Sequence, residues 1–309
     1  MIDVSIILVN YKTSKYVHDV ISSIKEKSQG FSYEIIVVDN SNDINEFNKL
    51  LDLKDEGVIL VDAKSNLGFG KANNLGAQYA LGKYLYCLNT DTLLMNNAIF
   101  ELKDFLDKYD NVAVVGSNLY TKEGKPNHSF YPMEKNLKNE KKMAGIKSTL
   151  IKFITRKRID FNYMDVPKKI DGYVCGASLM IRKDCFNQLG GFDKDIFMYA
   201  EESLLCYRAI HELKKDVYNI PASKIIHFEG GSFGKDISYN HAKLMVDGNC
   251  VYYNKLFGKE EMVKFLKWNI CNFKKKEMIS LFIKRNKHSS FVNLVNAYQD
   301  KLKEVLNDH

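Results

Sequence analysis

The sequence predicts an α/β fold with a mostly parallel central sheet flanked by helices. Strand-like and helix-like patterns alternate through roughly the first 120 residues, the order that βαβ units produce. Three apolar runs also end abruptly in polar tips. Val4-Ser5-Ile6-Ile7-Leu8-Val9 ends in Asn10-Tyr11, Ile35-Ile36-Val37-Val38 in Asp39-Asn40-Ser41, and Tyr84-Leu85-Tyr86-Cys87-Leu88 in Asn89-Thr90-Asp91-Thr92. As parallel strands, all three would place their tips on one edge of one sheet. Ligands of open α/β sheets bind outside the carboxyl ends of the strands, so a site is expected there.

The elements follow in order. Between the first two strands, Val17, Val20, Ile21 and Ile24 fall on one helical face. Val58-Ile59-Leu60-Val61 reads as a strand. It is followed by Asn66-Leu67-Gly68-Phe69-Gly70-Lys71-Ala72-Asn73-Asn74, which leads into a helix carrying Leu75 and Ala80. After Asp91, the set Ala98, Ile99, Leu102, Phe105, Leu106 and Tyr109 marks an amphipathic helix. Val112-Ala113-Val114-Val115-Gly116 supplies a further short strand. Residues 134–169 show no clear period and read as a long basic loop or partly helical insertion, a type of segment that often forms a lid or binding loop. Regular patterning returns from Ile170 to Ile181, Lys224-Ile225-Ile226 is strand-like, and the pattern beyond His241 is helical.

Bulk properties bound the function. A chain of 309 residues can bury a substantial core in one large domain or two. Its six cysteines contain no Cys-x-x-Cys pair, which argues against a zinc site or disulfide framework and for buried thiols in a reducing compartment. With no basic leader at the N-terminus and no run of about eighteen apolar residues, a cytoplasmic location is expected. The net charge is +7, but 134–169 and 264–287 each carry eleven or eight basic residues against four or one acidic. Basic character confined to two stretches suits a local role against anionic lipid or phosphate. No nucleic-acid partner is expected.

Seven segments, taken in order, resemble the family 2 glycosyltransferases of the GT-A fold, especially the rhamnosyltransferase-like branch. They are Val9-Asn10-Tyr11, Val38-Asp39-Asn40-Ser41, the run Asn66 to Asn74, Leu88-Asn89-Thr90-Asp91-Thr92, Gly176-Ala177-Ser178-Leu179-Met180-Ile181-Arg182, Gly190-Gly191-Phe192-Asp193 and His227-Phe228-Glu229-Gly230-Gly231-Ser232. The resemblance runs from residue 3 to about residue 233. It implies a Rossmann-like catalytic domain over 1–235, holding the 134–169 insertion, with a helical C-terminal region over 236–309.

The resemblance also implies roles, each with a plainer alternative. Asp91 stands where the family places the last acid of its metal-binding Asp-x-Asp motif, here Asn89-Thr90-Asp91, and His227 stands where a histidine completes that site. Mg²⁺ or Mn²⁺ accepts such oxygen and imidazole ligands. A helix N-cap is the alternative for Asp91, and a satisfied strand-end residue for His227. Asn10, Asp39 and Asn66 belong to the nucleotide side, with Asp39 accepting from a base imide or ribose hydroxyl. Its alternative is an Asx turn. Gly68 gives a tight turn near the nucleotide, and Asn73 occupies the third-glycine position of a dinucleotide fingerprint, which is thereby excluded. Asn89 and Glu201 are counted with the nucleotide-sugar contacts, and Gly176 and Ala177 with the floor under donor sugar or acceptor.

The run Glu201-Glu202-Ser203-Leu204 departs from the family, whose relatives usually show Glu-Asp-x-Asp-Leu. Glu202 takes the place of the general base and Leu204 that of the second Asp. A glutamate performs the same proton transfer with one more methylene of reach. The plainer account is an acidic helix start favoured by the helix dipole.

The C-terminal region interleaves Phe265, Leu266, Trp268, Ile270, Phe273, Met278, Ile279, Leu281, Phe282 and Ile283 with eight basic residues. It reads equally as a helix lying on an anionic membrane surface and as a packed cap or homodimer contact.

The leading expectation is an inverting, metal-dependent enzyme that moves a sugar, first of all rhamnose, from a dTDP- or UDP-sugar donor to a bacterial surface glycan or lipid-linked glycan acceptor. The second is a nucleotide-sugar-binding homologue with lost or reduced transfer, motivated by Glu202 and Leu204. A nucleotidyltransferase would need a glycine-rich basic loop where Asn10-Tyr11-Lys12-Thr13 stands.

Overall fold

A computed structural model describes residues 2–144, 165–228, 236–282 and 288–307. The elements of the first part are β1 (Val4–Asn10), α1 (Ser14–Lys27), β2 (Tyr33–Asp39), α2 (Ile44–Asn48), β3 (Ile59–Asp62), α3 (Phe69–Ala77), β4 (Tyr84–Leu88), β5 (Thr92–Leu94) and α4 (Ala98–Lys108). They continue with β6 (Val112–Tyr120), β7 (Phe130–Tyr131), α5 (Leu137–Ala144), β8 (Lys168–Lys169), β9 (Tyr173–Val174) and β10 (Ser178–Arg182). After these come α6 (Lys183–Gln188), α7 (Glu201–His211), β11 (Asp216–His227), α8 (Tyr239–Phe282) and α9 (His288–Asn307).

The nine-stranded sheet has the order β3-β2-β1-β4-β10-β6-β11-β5, with β8 paired to β11. β1, β2, β3 and β4 run parallel, so Asn10 pairs in register with Asp39, and Asp39 with Asp62. The expected common edge of polar tips is present. β10 enters between β4 and β6, antiparallel to both. β6 and β11 are parallel, and β5 closes the row antiparallel to β11.

Both faces of the sheet are covered, which is why the central runs are apolar throughout rather than alternating. On one face Val4, Ile6 and Leu8 meet Val17, Val20, Ile21 and Ile24 of α1 and Ala98, Ile99, Leu102 and Leu106 of α4. On the other, Ile7, Ile36, Val38 and Leu85 meet Ala72 of α3, Phe186 of α6 and Leu205 and Ala209 of α7. Each large aliphatic side chain so buried contributes roughly 1.5–3 kcal/mol.

Several expected boundaries move. α3 ends at Ala77, so Ala80 is a buried residue beyond the helix. Tyr109 lies past the end of α4 and is exposed, while β6 continues to Tyr120. The single pattern from Ile170 to Ile181 is two strands separated at Cys175-Gly176-Ala177, and Lys224-Ile225-Ile226 is the end of a twelve-residue strand. The 134–169 stretch contains α5 and β8, and its residues 145–164 lie outside the described residues.

The chain divides into two compact units: Met1–Lys194 with Glu201–Gly230, and Asp195–Ala200 with Gly231–His309. Within the second, α8 breaks at Gly258, whose φ of +81° and ψ of 169° are not helical. The ring of Phe265 stacks on Tyr253 with centroids 4.1 Å apart, and Phe265 and Phe273 of α8 both pack on Tyr298 of α9. No helix among the described residues is long and apolar enough to cross a membrane.

Candidate active site

The site grows from the carboxyl edge of β1, β2 and β4. Asn10 donates from Nδ2 to Asp39 Oδ1 at 2.8 Å, and its own Oδ1 accepts from the Thr13 amide and hydroxyl at 2.9 and 3.0 Å. Thr13 Oγ1 lies 3.0 Å from Thr90 Oγ1, so the β1 tip is tied to the β4 tip as well. Asp39 Oδ2 accepts from the Ser41 hydroxyl at 2.9 Å. Asn10 and Asp39 are 0% and 1% exposed, which makes their pairing a fixed floor for the edge. A carboxylate holds about four acceptor sites, so Asp39 keeps acceptor capacity beyond these bonds.

The loop after β3 is braced by two amides. Asn66 Oδ1 accepts from Asn40 Nδ2 at 3.1 Å and from the Gly68 amide at 3.0 Å, while Asn40 Oδ1 accepts from the Leu67 amide at 2.8 Å. Gly68 precedes α3 at φ +80°, a conformation that glycine adopts without a Cβ penalty. Asn73 is 1% exposed and donates to the Phe69 carbonyl at 3.0 Å, and its Oδ1 is buried with no hydrogen-bond partner among the described residues. Asn74 holds the Gly190-Gly191-Phe192 segment, accepting from the Phe192 amide and donating to its carbonyl, both at 2.8 Å.

Asp91 and His227 meet although 136 positions separate them. The antiparallel pairing of β5 with β11 sets His227 opposite Thr92, and the Phe228 amide donates to the Asp91 carbonyl at 2.9 Å. His227 Nε2 then lies 3.3 Å from Asp91 Oδ2, with both side chains about one-sixth exposed or less, at 14% and 16%. Among the described residues no third His, Cys, Asp or Glu joins them as a metal-binding cluster. One carboxylate and one imidazole at an accessible position suit Mg²⁺ or Mn²⁺, which commonly take their remaining ligands from substrate phosphate and water. Glu229-Gly230-Gly231-Ser232, which follow His227 and Phe228 in the motif, lie outside the described residues.

Cys175-Gly176-Ala177 joins this pair to the acidic start of α7. The Asn89 amide donates to the Ala177 carbonyl at 3.0 Å. A methyl on Gly176 would lie 3.8 Å from both Cβ and Cδ of Glu202, an ordinary contact, so the carboxyl of Glu202 stands directly over this segment. Glu201 is 2% exposed and turns the other way, its Cγ close to where Gly70 of α3 has no Cβ. Leu204 is 2% exposed and enclosed, so that position presents no polar group.

Glu202 keeps partial contact with solvent but is surrounded by protein, and this desolvation raises its carboxyl above the ordinary glutamate range, while the positive charge of Lys135 opposes the shift. Burial likewise pushes the Cys175 thiol up to about 12, so it stays protonated. Lys135 and the threonine bridge Thr13–Thr90 escaped the sequence reading. Thr90 sat inside a quoted segment, but Lys135 lies in the stretch without period, where nothing marks one lysine from its ten basic neighbours.

The family model for glycosyl transferase family 2 matches residues 5–190. A low-salt glycan biosynthesis hexosyltransferase, Agl10, of Haloferax volcanii is 28% identical over 218 residues, covering 68% of this chain and 62% of that protein. An N-acetylglucosaminyl-diphospho-decaprenol L-rhamnosyltransferase of Mycobacterium tuberculosis is 25% identical over 194 residues, covering 58% of this chain and 61% of that protein. The chain thus spans about three-fifths of the length of these relatives. Among solved structures, GalNAc-T7 with UDP, GalNAc and Mn²⁺ aligns with all of this chain and 56% of its own at a TM-score of 0.58 and 13% identity, a likeness of fold. With the family model matched across more than half its length and the GT-A-like sheet beneath the matched segments, this chain belongs to glycosyl transferase family 2.

Proposed function

We propose that this protein is an inverting glycosyltransferase that moves a sugar, rhamnose before others, from a dTDP- or UDP-sugar to a surface polysaccharide or lipid-linked glycan. The observation that carries the reading is that one three-residue segment, Cys175-Gly176-Ala177, adjoins Glu202 on one side and the Asn89-Thr90-Asp91 tip on the other. The candidate proton acceptor and the strand tip that carries the candidate cation ligand therefore adjoin one segment. The choice of rhamnose is supported by the likeness to the Mycobacterium tuberculosis L-rhamnosyltransferase.

In this mechanism the acceptor hydroxyl gives its proton to Glu202 as its oxygen bonds to the anomeric carbon from the face opposite the diphosphate. The bond from that carbon to the diphosphate oxygen breaks, and nucleoside diphosphate leaves with the electron pair. Asp91 and His227 would hold the divalent cation, which when bound supplies Lewis-acid stabilisation to the departing diphosphate. Asp39 and the braced loop at Asn66 and Gly68 take the nucleoside, with Asn10 fixing Asp39, and Asn73 and Glu201 behind them. Asn89, Gly176 and Ala177 form the floor.

A panel of nucleotide sugars, assayed for thermal stabilisation and slow hydrolysis with Mn²⁺ or Mg²⁺, tests this reading. One dTDP- or UDP-sugar should both stabilise the protein and be hydrolysed. The second reading, a binding homologue with reduced transfer, is favoured by the enclosed apolar Leu204, and stabilisation by nucleotide diphosphate without turnover toward water or any acceptor would select it.

The C-terminal region supports a peripheral position on the inner face of a membrane. Lys274, Lys275 and Lys276 are exposed, and along the same stretch of α8 stand Met278, Ile279 and Leu281 at 57%, 56% and 65% exposure. Apolar side chains interleaved with cations fit an anionic bilayer surface, where each lysine contributes about 1 kcal/mol. Ile283, Lys284, Arg285 and Lys287 of this stretch lie outside the described residues. Co-sedimentation with anionic vesicles should be strong at low salt, fall as salt shortens the Debye length to about 8 Å or less, and weaken when Lys274, Lys275 and Lys276 become Gln. Equal recovery with neutral and anionic vesicles, or none with either, would leave the face to a homodimer or packing contact.

A further inference from the structure

We propose that Lys135 is a positioning residue that keeps Glu202 in its proton-accepting form, and that the turn at residues 134–139 is built to deliver it. The inference rests on the reading of Glu202 as the general base.

The turn is internally fixed and fastened to the helix that carries Glu202. Asn136 Oδ1 accepts from the Asn139 amide at 2.9 Å, Asn139 Nδ2 donates to the Glu134 carbonyl at 2.8 Å, and Asn136 Nδ2 donates to the Glu134 carboxylate at 2.7 Å. The other carboxylate oxygen of Glu134 lies 3.2 Å from Nε2 of His211, at the far end of α7 from Glu202. The next residue, Lys135, sends its ammonium over the Tyr173 ring, 5.8 Å from the centroid. Tyr131 stacks with Tyr173 at 5.5 Å and an interplanar angle of 12°. Tyr173 begins β9, a strand of two residues, and the chain continues from it through Cys175 to Gly176, against which Glu202 packs.

The charges around Glu202 explain why a cation is needed there. Glu201 precedes it on α7, Cys206 follows one turn later, and Tyr173 and Cys175 approach from β9 and the segment after it. None of these offers a positive charge, and burial, with the Glu202 carboxylate adding to it, raises the Tyr173, Cys175 and Cys206 groups toward their neutral forms. Among the described residues Lys135 is the cation whose charge acts on Glu202. Burial lowers the lysine, and Glu140 of α5 together with Glu202 and Glu201 opposes that shift. A carboxylate in a poorly hydrated cleft ionises less readily, and an opposite charge nearby restores its ability to take a proton. Lys135 thereby acts through Glu202, without touching the reacting sugar.

Neutral variants, Lys135→Gln and Lys135→Met, and the charge-retaining Lys135→Arg test this against wild type through the pH dependence of kcat/KM for transfer. A base must be unprotonated to work, so loss of the cation moves the acid limb of the profile upward. The neutral variants should lose on the order of tenfold or more near about pH 6 and return to within about threefold of wild type near about pH 9. Lys135→Arg should keep the wild-type profile, and all three should keep stabilisation by UDP or dTDP with Mn²⁺. A uniform loss across the pH range in both neutral variants, or an unmoved acid limb, overturns the proposal. ¹³C-NMR titration of the Glu202 carboxyl, assigned by its absence from Glu202→Gln, gives a readout independent of turnover. It should move upward in Lys135→Gln. If Glu202→Gln transfers normally, the reading of Glu202 as base falls by itself, and an unmoved titration then overturns the role of Lys135.

Discussion

Glu202→Gln should lower sugar transfer on the order of 10²–10⁴-fold, the range for losing a general base, while donor binding persists. The amide matches the carboxylate in shape, so the packing over Gly176 is preserved and the proton acceptor alone is removed. The wild-type rate should fall on acidification at a pH above the ordinary glutamate range, because desolvation raises the folded carboxyl and the acceptor proton has nowhere to go once it is protonated. Steady-state kinetics with a single donor, alongside calorimetry with nucleotide diphosphate, separates the two effects. Near-normal transfer would assign the base elsewhere, with Glu201 the next group to test. Glu202→Asp complements it: slower turnover indicates a cleft rebuilt around the longer side chain, and faster turnover a base placed too far forward.

Asp91→Ala and His227→Ala should each abolish most of the Mn²⁺-dependent part of nucleotide diphosphate affinity while leaving thermal stability close to wild type. The two side chains contact each other at 3.3 Å at a partly open position rather than within the apolar core, so truncation opens little cavity. Even an outer partner of a metal ligand is worth roughly 10–100-fold in affinity, and a direct ligand should cost at least that. Calorimetric titration of UDP and dTDP with and without Mn²⁺ measures it directly, and metal-dependent affinity unchanged in both variants would remove the pair from the cation site.

The parallel half of the sheet was legible because each strand is an apolar run cut off by a polar tip, and α1 and α4 because their buried faces repeat at helical spacing. Residues joined by strand order were not. Nothing in Thr92-Leu93-Leu94 marks a three-residue strand, and nothing local shows that β11 will pair with it and carry His227 back to Asp91. The antiparallel entry of β10 between β4 and β6 is likewise a property of the assembled sheet. Asn10 and Asp39 were each visible as polar tips, but their mutual hydrogen bond follows from the register of β1 against β2, which no single segment contains. Lys135 is the extreme case, since its neighbourhood is set by a turn docked on a helix more than sixty residues later in the chain.

The pairing of β5 with β11 also sets an order of events during synthesis. The segments that form the tips of β1, β2 and β4, from Asn10 through Asp91, are all synthesised before any of β11 exists, and domains generally fold as the chain appears. The contact between Asp91 and His227 can close only after residue 227 is added. A chain interrupted anywhere in between would therefore carry the segments of β1, β2 and β4 yet lack the imidazole that meets Asp91.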